Sequence, residues 1–209
     1  MRTLRDLDMM LIMRKAKVNN RRAAKEASHE RIVAVAARAI RQSGYDGTGV
    51  ADIMKEAGLT HGAFYAHFAS REAMLAEAAV RACAESAAVA AKVVADAPPE
   101  KAFESMLRAY LSREHLEHVE TGCPLAALGS ETPRQAPEVR RAMTRHIKAM
   151  IDLAARQSSE WGQAGVHEHA LATVASMVGA LLLARVVDEP ALSDRLREAA
   201  LKRLIRAGI

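Results

Sequence analysis

Apolar residues recur along this chain with the spacing of α-helices almost from end to end. From Ile32 they follow the i, i+3, i+4, i+7 template of an amphipathic helix, and Gly44 is placed to end that helix. Its start is open, because Asn19, Asn20 and Ser28 are all candidate caps. No segment sustains the apolar–polar alternation of a half-buried strand. The pattern therefore predicts an all-α protein.

Glycines and prolines divide the rest of the pattern into further helices. A second helix is predicted over 50–57, before Gly58, and a third short one after Thr60, which is placed to cap it. Ser70 is placed to cap a fourth helix that stops near residue 96, before Pro98 and Pro99. Further helices are expected over about 100–119, in a short segment ending at Glu131, from about Pro137, and over about 168–187 and 191–206. We expect about nine helices in all.

The formal charge of +5 is concentrated near the N-terminus. Residues 1–80 contain 13 Lys and Arg against 9 Asp and Glu, a net charge of +4, so the body carries only +1. Four of the seven aromatic residues also lie within residues 45–68. We predict a basic N-terminal arm over 1–25, a helical head over 26–70 and a larger helical body over 71–209. A solvated arm without a partner would show the same charge run.

Gly58, Leu59 and Thr60 join two short helices as a helix-turn-helix requires. Glycine accepts a left-handed backbone at the turn, and Leu59 can fill the angle between the helices. Such a motif lays its second helix in the major groove of DNA, although a helix corner without function has the same local pattern. The basic arm just upstream could follow phosphates or enter the adjacent minor groove, which favours the DNA-binding interpretation.

Residues 44–75, GYDGTGVADIMKEAGLTHGAFYAHFASREAML, closely resemble the DNA-binding head of the TetR/AcrR family of bacterial transcription regulators. The resemblance covers about residues 26–80 and implies a double-stranded DNA operator as partner. It implies operator-facing positions at Thr60, His61, Gly62, Ala63 and Tyr65. It also implies phosphate contacts at Thr48, His67 and Arg71. Gly49 departs from the family pattern, because the family usually has Ser or Thr there to cap the second helix.

The body is expected to contain a dimer interface if this resemblance holds. Small residues recur every four positions in the apolar segment near residue 180, and such a ridge lets another helix pack closely. A two-fold operator favours a symmetric homodimer, while a buried central helix of a monomer is the alternative. The predicted interface residues are Ala172, Ser176, Ala180, Leu181, Ala184 and Leu196.

The body is also expected to hold a pocket for a small molecule. Methionine-rich walls suit an adaptable apolar or amphipathic ligand, although each of these residues is also an ordinary core candidate. The predicted lining residues are Phe103, Met106, Tyr110, Cys123, Met143, His146 and Met150.

Cys123 supports a sharper hypothesis, because it precedes Pro124 at the start of a predicted helix. A thiol at a helix N-terminus can react with electrophiles or oxidants. The run GCPLAALGSE resembles a subset of the family, some of whose members sense reactive compounds through such cysteines. An unreactive buried cysteine is the alternative interpretation.

No catalytic or metal-binding spacing accompanies these features. His115 and His118 lie near Cys123 in sequence, without a nucleophile elbow or a phosphate loop. We expect no enzymatic activity, no cofactor and no metal site. The longest uncharged stretch, 170–184, is short of a membrane span, and no signal peptide is recognised, so a cytoplasmic protein is expected.

Together these features predict a homodimeric, ligand-responsive transcription regulator. We expect a repressor that a small-molecule effector releases from a palindromic operator. Two alternatives stay open: a DNA-binding protein that responds to no effector, and a thiol-based regulator that senses electrophiles or redox state through Cys123.

Overall fold

The computed structural model describes residues 4–158, 161–163 and 165–208. Over these residues it contains α-helices and short 3-10 turns and no strand, which confirms the all-α prediction and the expected number of about nine helices. The helices are α1 (Leu4–Ser43), α2 (Val50–Glu56), α3 (Arg71–Asp96), α4 (Ala102–Tyr110), α5 (Arg113–Glu117), α6 (Pro124–Leu128), α7 (Pro137–Ala155), α8 (Val166–Val186) and α9 (Pro190–Ala207). The 3-10 turns are His61–Ala66, Pro99–Lys101 and Thr132–Arg134.

Helix α1 is much longer than predicted, with 40 residues. It ends where expected, at Gly44, which has a φ of +75° and donates its N–H to the carbonyl of Ile40 at 2.9 Å. The predicted starts at Asn19, Asn20 or Ser28 are wrong, because the helix passes through all three without interruption. The stretch from Leu4 to Ser43 contains no Gly or Pro and is rich in Ala, Arg, Lys, Leu and Met, all good helix formers.

The head consists of the second half of α1, α2 and the following 3-10 turn, packed on the start of α3. The third predicted helix is a 3-10 turn of six residues, His61–Ala66, because so short a segment closes few α-type bonds. Thr60 precedes this turn in an extended conformation, but its side chain makes no capping hydrogen bond, contrary to the prediction. Ser70 does cap α3, since its side chain accepts from the N–H of Ala73 at 3.2 Å.

Helix α3 connects the head to the body, because it packs against α1 on one side and against α4 and α7 on the other. One buried core joins α1, α2, α3, α6 and α7, and a second joins α4, α7, α8 and α9. The head therefore shares its hydrophobic core with one wall of the body.

The predicted helix over 100–119 is wrong, because the segment folds as two helices, α4 and α5. Ser112 begins the second one by accepting a hydrogen bond from the N–H of His115 at 3.0 Å. The ring of His115 then folds back, with Nδ1 2.7 Å from the carbonyl oxygen of Tyr110. These two bonds satisfy the helix ends and fix a bend between α4 and α5.

Helix α8 is the one helix in the described part of the chain that is long and apolar enough to span a membrane by length and composition. Six of its apolar residues lie in the second core, against α7 and α9, as in the central helix of a helical bundle. Those residues are Val166, Ala170, Val174, Met177, Ala180 and Leu181.

Candidate functional site

The 61–66 segment lies on a rigid hydrophobic base. Phe64 and Phe68 are buried, and their rings stack with centroids 5.5 Å apart. Gly58 has a φ of +72°, the left-handed conformation that glycine accepts without strain, and it turns the chain from α2 into this segment. Leu59 packs partly buried against the same core, as predicted for the angle of a helix-turn-helix. The segment is therefore held in a fixed orientation on α2.

The outward side of the 61–66 segment is open to solvent. Thr60, His61 and Gly62 are exposed, and Tyr65 exposes 73% of its surface. A Cβ at Gly62 would contact nothing within 4 Å, and its φ is not in the left-handed region, so the fold itself does not require glycine there. A glycine on an open helical face costs stability, and it leaves the backbone open to close approach by another molecule. Ala63 is half-buried beneath this surface.

Two of the side chains that were predicted to contact phosphates make hydrogen bonds within the protein. Arg71 donates to the carbonyl oxygens of Tyr45 and of Thr48, the latter at 3.3 Å. The hydroxyl of Thr48 is buried and donates to the carbonyl oxygen of Gly44 at 2.7 Å. These bonds tie the start of α3 to the loop between α1 and α2. The structure thus gives Arg71 and Thr48 a positioning role, and their contact with phosphate stays a prediction.

His67 lies between the 61–66 segment and α1. Its ring centroid is 5.8 Å from that of His29, which itself stacks on Phe68 at 4.6 Å. Burial lowers the pKa of His67, and electrostatic interactions with His29, Lys25 and Arg31 lower it further. Basic residues of α1 therefore lie within electrostatic reach of the residue that directly follows the 61–66 segment.

The backbone at the N-terminus of α2 has the conformation of a capped helix, although no side chain caps it. Gly49 is extended there, with φ −86° and ψ 138°, and makes no side-chain hydrogen bond. Asp52 stands in the first turn instead, where its negative charge is favourable beside the helix N-terminus. The missing cap noted in the sequence is thus compensated in part by a residue that sequence analysis did not single out.

The body contains a cavity of about 410 Å³ enclosed mainly by α3, α4, α7 and α8. Of the predicted lining residues, Met106, Tyr110, Cys123, His146 and Met150 do line it. The lining also includes valines of α3 and Met177 of α8, which sequence analysis did not select.

Two predicted lining residues do not reach the cavity. Met143 lies in the first core, where its sulfur is 3.7 Å from the sulfur of Cys83. Phe103 packs partly buried against the second core. Both occupy the apolar stripe of their helix, but the stripe is wider than the part of it that faces the cavity.

His115 and Gly122 shape one wall of the cavity. The Nε2 atom of His115 accepts a hydrogen bond from the N–H of Cys123 at 2.8 Å, while Nδ1 faces the carbonyl oxygen of Tyr110. Burial lowers the pKa of His115, so its ring is neutral with the proton on Nδ1. A Cβ at Gly122 would lie 2.8 Å from Cδ2 of this ring, so only glycine fits the close approach. The Gly-Cys-Pro sequence pointed to this part of the wall. That His115 contacts it was not recognised from the sequence.

The cavity wall around Cys123 is uncharged. Burial lowers the pKa of His146 to about 4, and its Nε2 lies 3.8 Å from the sulfur of Cys123. Burial, together with Cys123, raises the pKa of Tyr110 well above its ordinary value. At neutral pH both side chains are therefore neutral.

A buried ion pair connects this wall to the head. The side chain of Arg41, near the end of α1, is completely buried and contacts Glu85 of α3 at 2.6 Å and the carbonyl oxygen of Gly122 at 3.4 Å. Arg81 bonds the same carboxylate at 2.7 Å. Burial raises the pKa of Glu85, but the hydrogen bonds from both arginines outweigh that effect and lower it. In the sequence, Arg41 was counted only in the net charge of residues 1–80.

Family models match both parts of the chain. The model of bacterial regulatory proteins of the TetR family matches residues 32–78, and the model of the C-terminal domain of LmrA/YxaF-like transcriptional regulators matches residues 99–200. The chain belongs to the TetR family. It is a DNA-binding transcriptional regulator with a helix-turn-helix head. Proteins of this family bind DNA operators as homodimers, respond to small-molecule effectors and are generally not enzymes.

Solved structures support the same fold for this TetR-family regulator. E. coli NemR in its reduced form is 20% identical, with a TM-score of 0.74, and the match covers 86% of this chain and 96% of that one. A TetR regulator from Chloroflexus aurantiacus is 23% identical, with a TM-score of 0.72 and coverage of 88% and 97%. One from Cytophaga hutchinsonii is 21% identical, with a TM-score of 0.71 and coverage of 88% and 96%. No curated protein sequence matches the regulator significantly.

The predicted dimer residues of the TetR-family regulator divide between its surface and its interior. Ala172 and Ser176 are exposed on α8, and Leu196 is half-buried on α9. Ala180, Leu181 and Ala184 are buried within the protomer, so their assignment to an interface is corrected. A four-residue spacing drifts around a helix, because four residues exceed one turn of 3.6. The exposed apolar residues of this helix are Leu171, Leu183 and Val186.

Proposed function

We propose that the protein is a cytoplasmic repressor that binds a palindromic operator as a homodimer and is released when a small molecule fills the body cavity. The observation that carries this proposal is the cavity itself. Its volume of about 410 Å³ lies within the range of small-molecule sites. Its wall at Gly122 also contacts Arg41 of the helix that supports the head.

The lining favours an uncharged, largely apolar effector. Met106, Met150 and Met177 line it together with valines of α3, and none of the described lining residues is Lys or Arg. The buried histidines His115 and His146 have lowered pKa values and are neutral at pH 7. An anionic ligand would lose its hydration without gaining a partner of opposite charge on these walls. The one carboxylate among the described lining residues, Glu114, is exposed to solvent.

Coupling follows from the shared core. A ligand that displaces the loop at Gly122 changes the contact of this loop with Arg41, and α1 then changes its position relative to α3. Such a ligand favours a dimer conformation in which the two 61–66 segments no longer fit successive major grooves. The coupling requires only that the ligand binds the two conformations with different affinity.

The first experiment is a gel shift with the DNA upstream of the protein's own gene, with and without a panel of uncharged, mostly apolar compounds. We expect specific binding and release by one compound class. The variant Met150→Trp fills the cavity and should keep operator affinity while losing release. Ile147→Trp is the matched control, because it lies exposed on the same helix and should respond normally.

Release that persists unchanged in Met150→Trp would contradict the cavity as effector site. Binding that no compound relieves would favour the alternative of an effector-independent DNA-binding protein.

A second candidate is a response to electrophiles through Cys123. The favouring observation is that this thiol lines the cavity while exposing only 1% of its surface, so only compounds that enter the cavity reach it. In the reaction the thiolate sulfur adds to a carbon–carbon double bond such as that of N-ethylmaleimide, and solvent supplies the proton to the neighbouring carbon. E. coli NemR, a structural neighbour, has a reduced form.

Cys83 is the internal control for this candidate. It lies outside the cavity lining, and burial raises its thiol pKa to about 12. We expect N-ethylmaleimide to label Cys123 in the native protein and to release DNA in Cys83→Ser but not in Cys123→Ser. Native Cys123 that resists labelling, or equal release in both variants, would contradict the electrophile response.

A further inference from the structure

Helix α1 extends well beyond the part of the chain that the family models match. The match to the head begins at residue 32, whereas α1 begins at Leu4 and continues without a break to Ser43. We call residues 4–28 the α1 extension. With a rise of 1.5 Å per residue it is about 37 Å long, close to one turn of DNA at about 34–36 Å.

Much of the α1 extension carries positive charge only. Residues 9–25 include six Lys and Arg and no Asp or Glu. Lys17, Arg21 and Lys25 are exposed and have no ion-pair partner among the described residues. They stand four residues apart and therefore share one face of the helix. Arg14 continues a similar spacing in the sequence.

This basic face leads to the 61–66 segment. His29 lies one turn after Lys25 on the same side of the helix, and its ring contacts the rings of His67 and Phe68 directly after that segment. The charges of Lys25 and Arg31 act on His67. The line of cations therefore begins beside the DNA-reading surface and continues away from the head.

Because the α1 extension is helical, its width limits which part of the DNA it can contact. An α-helix with its side chains is about 10–12 Å wide, whereas the minor groove is about 6 Å wide. The α1 extension cannot enter a minor groove without unfolding. Under the proposed function the 61–66 segment occupies the major groove of the half-site, so the phosphates beside it are the nearest partners of the α1 extension.

We propose that the α1 extension lies along the phosphate backbone of the DNA that flanks each operator half-site, with Lys17, Arg21 and Lys25 as phosphate contacts. This inference rests on the proposed function, because it assumes an operator. It lengthens the DNA footprint beyond the helix-turn-helix without adding base recognition, since phosphate contacts carry no sequence information directly.

The test compares full-length proteins on two duplexes. The operator is selected by the wild-type protein from a random-sequence library and is then used with flanks of about one helical turn on each side or trimmed to the selected sequence. The variant replaces Lys17, Arg21 and Lys25 by Gln, which has a similar helix propensity. A matched control removes the same charge from the exposed side of α7 through Arg140→Gln, Arg145→Gln and Lys148→Gln. Circular dichroism checks that the helix content of both variants is unchanged.

On the flanked duplex, the slope of log affinity against log salt should fall by about 0.9 for each phosphate that is no longer neutralised. For the α1 variant this is about 5.4, because the homodimer loses three contacts at each of the two half-sites. On the trimmed duplex the α1 variant and the wild type should have the same slope, and the α7 control should match the wild type on both.

Equal slopes of wild type and α1 variant on the flanked duplex would overturn the inference. An equal decrease in the α7 control would also overturn it, because net charge would then explain the effect. Unchanged DNA binding together with abolished binding to vesicles of phosphatidylcholine and phosphatidylserine would assign the segment to a membrane surface instead. If the wild type selects no duplex, the proposed function itself fails.

Discussion

Tyr65 exposes 73% of its surface on the 61–66 segment, whereas Arg71, six residues later, donates its hydrogen bonds to carbonyl groups of the same protomer. The two residues are therefore expected to affect DNA binding by different routes. Tyr65 is free to meet DNA. Arg71 holds the loop before α2 and thereby sets the position of the whole reading surface.

The variants Tyr65→Ala and Arg71→Ala distinguish these routes. Tyr65→Ala should weaken operator binding about tenfold or more while unfolding stability stays within about 0.5 kcal/mol of wild type. Arg71→Ala should lower both affinity and stability, the latter by about 2 kcal/mol, because it removes charged hydrogen bonds to two carbonyl groups. Fluorescence anisotropy and urea unfolding measure the two quantities. Normal operator affinity in Tyr65→Ala would contradict the DNA-facing assignment.

At the scale of elements, α1 connects the three functional parts. It carries the basic extension at one end and packs on α2 and α3 in the middle. Near its other end, Arg41 contacts the carbonyl oxygen of Gly122, which lines the cavity. A shift of the loop at Gly122 therefore acts on the helix that supports the head, through one buried guanidinium and the shared core.

The variant Arg41→Met tests this connection. It should leave compound binding to the free protein unchanged by calorimetry but raise the concentration needed to release the operator, because methionine cannot bond the carbonyl of Gly122 and so cannot link the wall to the head. Arg81→Met is the control, since it also removes a bond to Glu85 but does not touch Gly122. Equal release curves for Arg41→Met and wild type would show that coupling takes another route.

Helix ends that are set by neighbouring residues in the sequence could be predicted. Helix ends that are set by contacts with residues distant in the sequence could not. Gly58 and the paired prolines before α4 act through their own backbone, and the side chain of Ser70 caps the helix that directly follows it, so α2, the turn and α3 were predicted within a residue or two. The bend between α4 and α5 depends on His115 meeting Tyr110 and Cys123, which no local pattern encodes.

The candidate sites, too, could be predicted where their residues are contiguous in the sequence and less well where they come from several helices. The helix-turn-helix was recognised from a contiguous motif, whereas cavity members were selected from helix faces and two of seven, Phe103 and Met143, were wrong. Helix α8 is apolar nearly all round, so its sequence does not say which side faces the protomer's core. Leu181 was assigned to an interface for that reason.

At the scale of the whole molecule, the exposed apolar surface of α8 is the best candidate for the dimer interface. Leu171, Leu183 and Val186 are each at least 43% exposed on one helix, an arrangement that favours burial against a second copy. The expected interface is isologous, since a palindromic operator presents two equivalent half-sites.

The variant Leu183→Glu should therefore raise the dimer dissociation constant about tenfold or more, because a charge would be buried without a partner. Val80→Glu is the control, as Val80 is similarly exposed but lies on α3. Light scattering across a protein dilution series measures the oligomeric state. A dimer that tolerates Leu183→Glu as well as Val80→Glu would place the interface elsewhere.

The central claim is that cavity occupancy changes the spacing of the two DNA-reading surfaces. The most direct measurement is the distance between spin labels at Ala66→Cys in the two protomers of a Cys123→Ser protein, since position 66 is exposed while Cys83 is buried outside the cavity lining. With operator bound, the label distance should be compatible with recognition segments about 34–36 Å apart. Addition of the releasing compound should shift it to a different value, and Met150→Trp should not show this compound-dependent shift. A distance that stays the same while the compound releases the DNA would contradict the account.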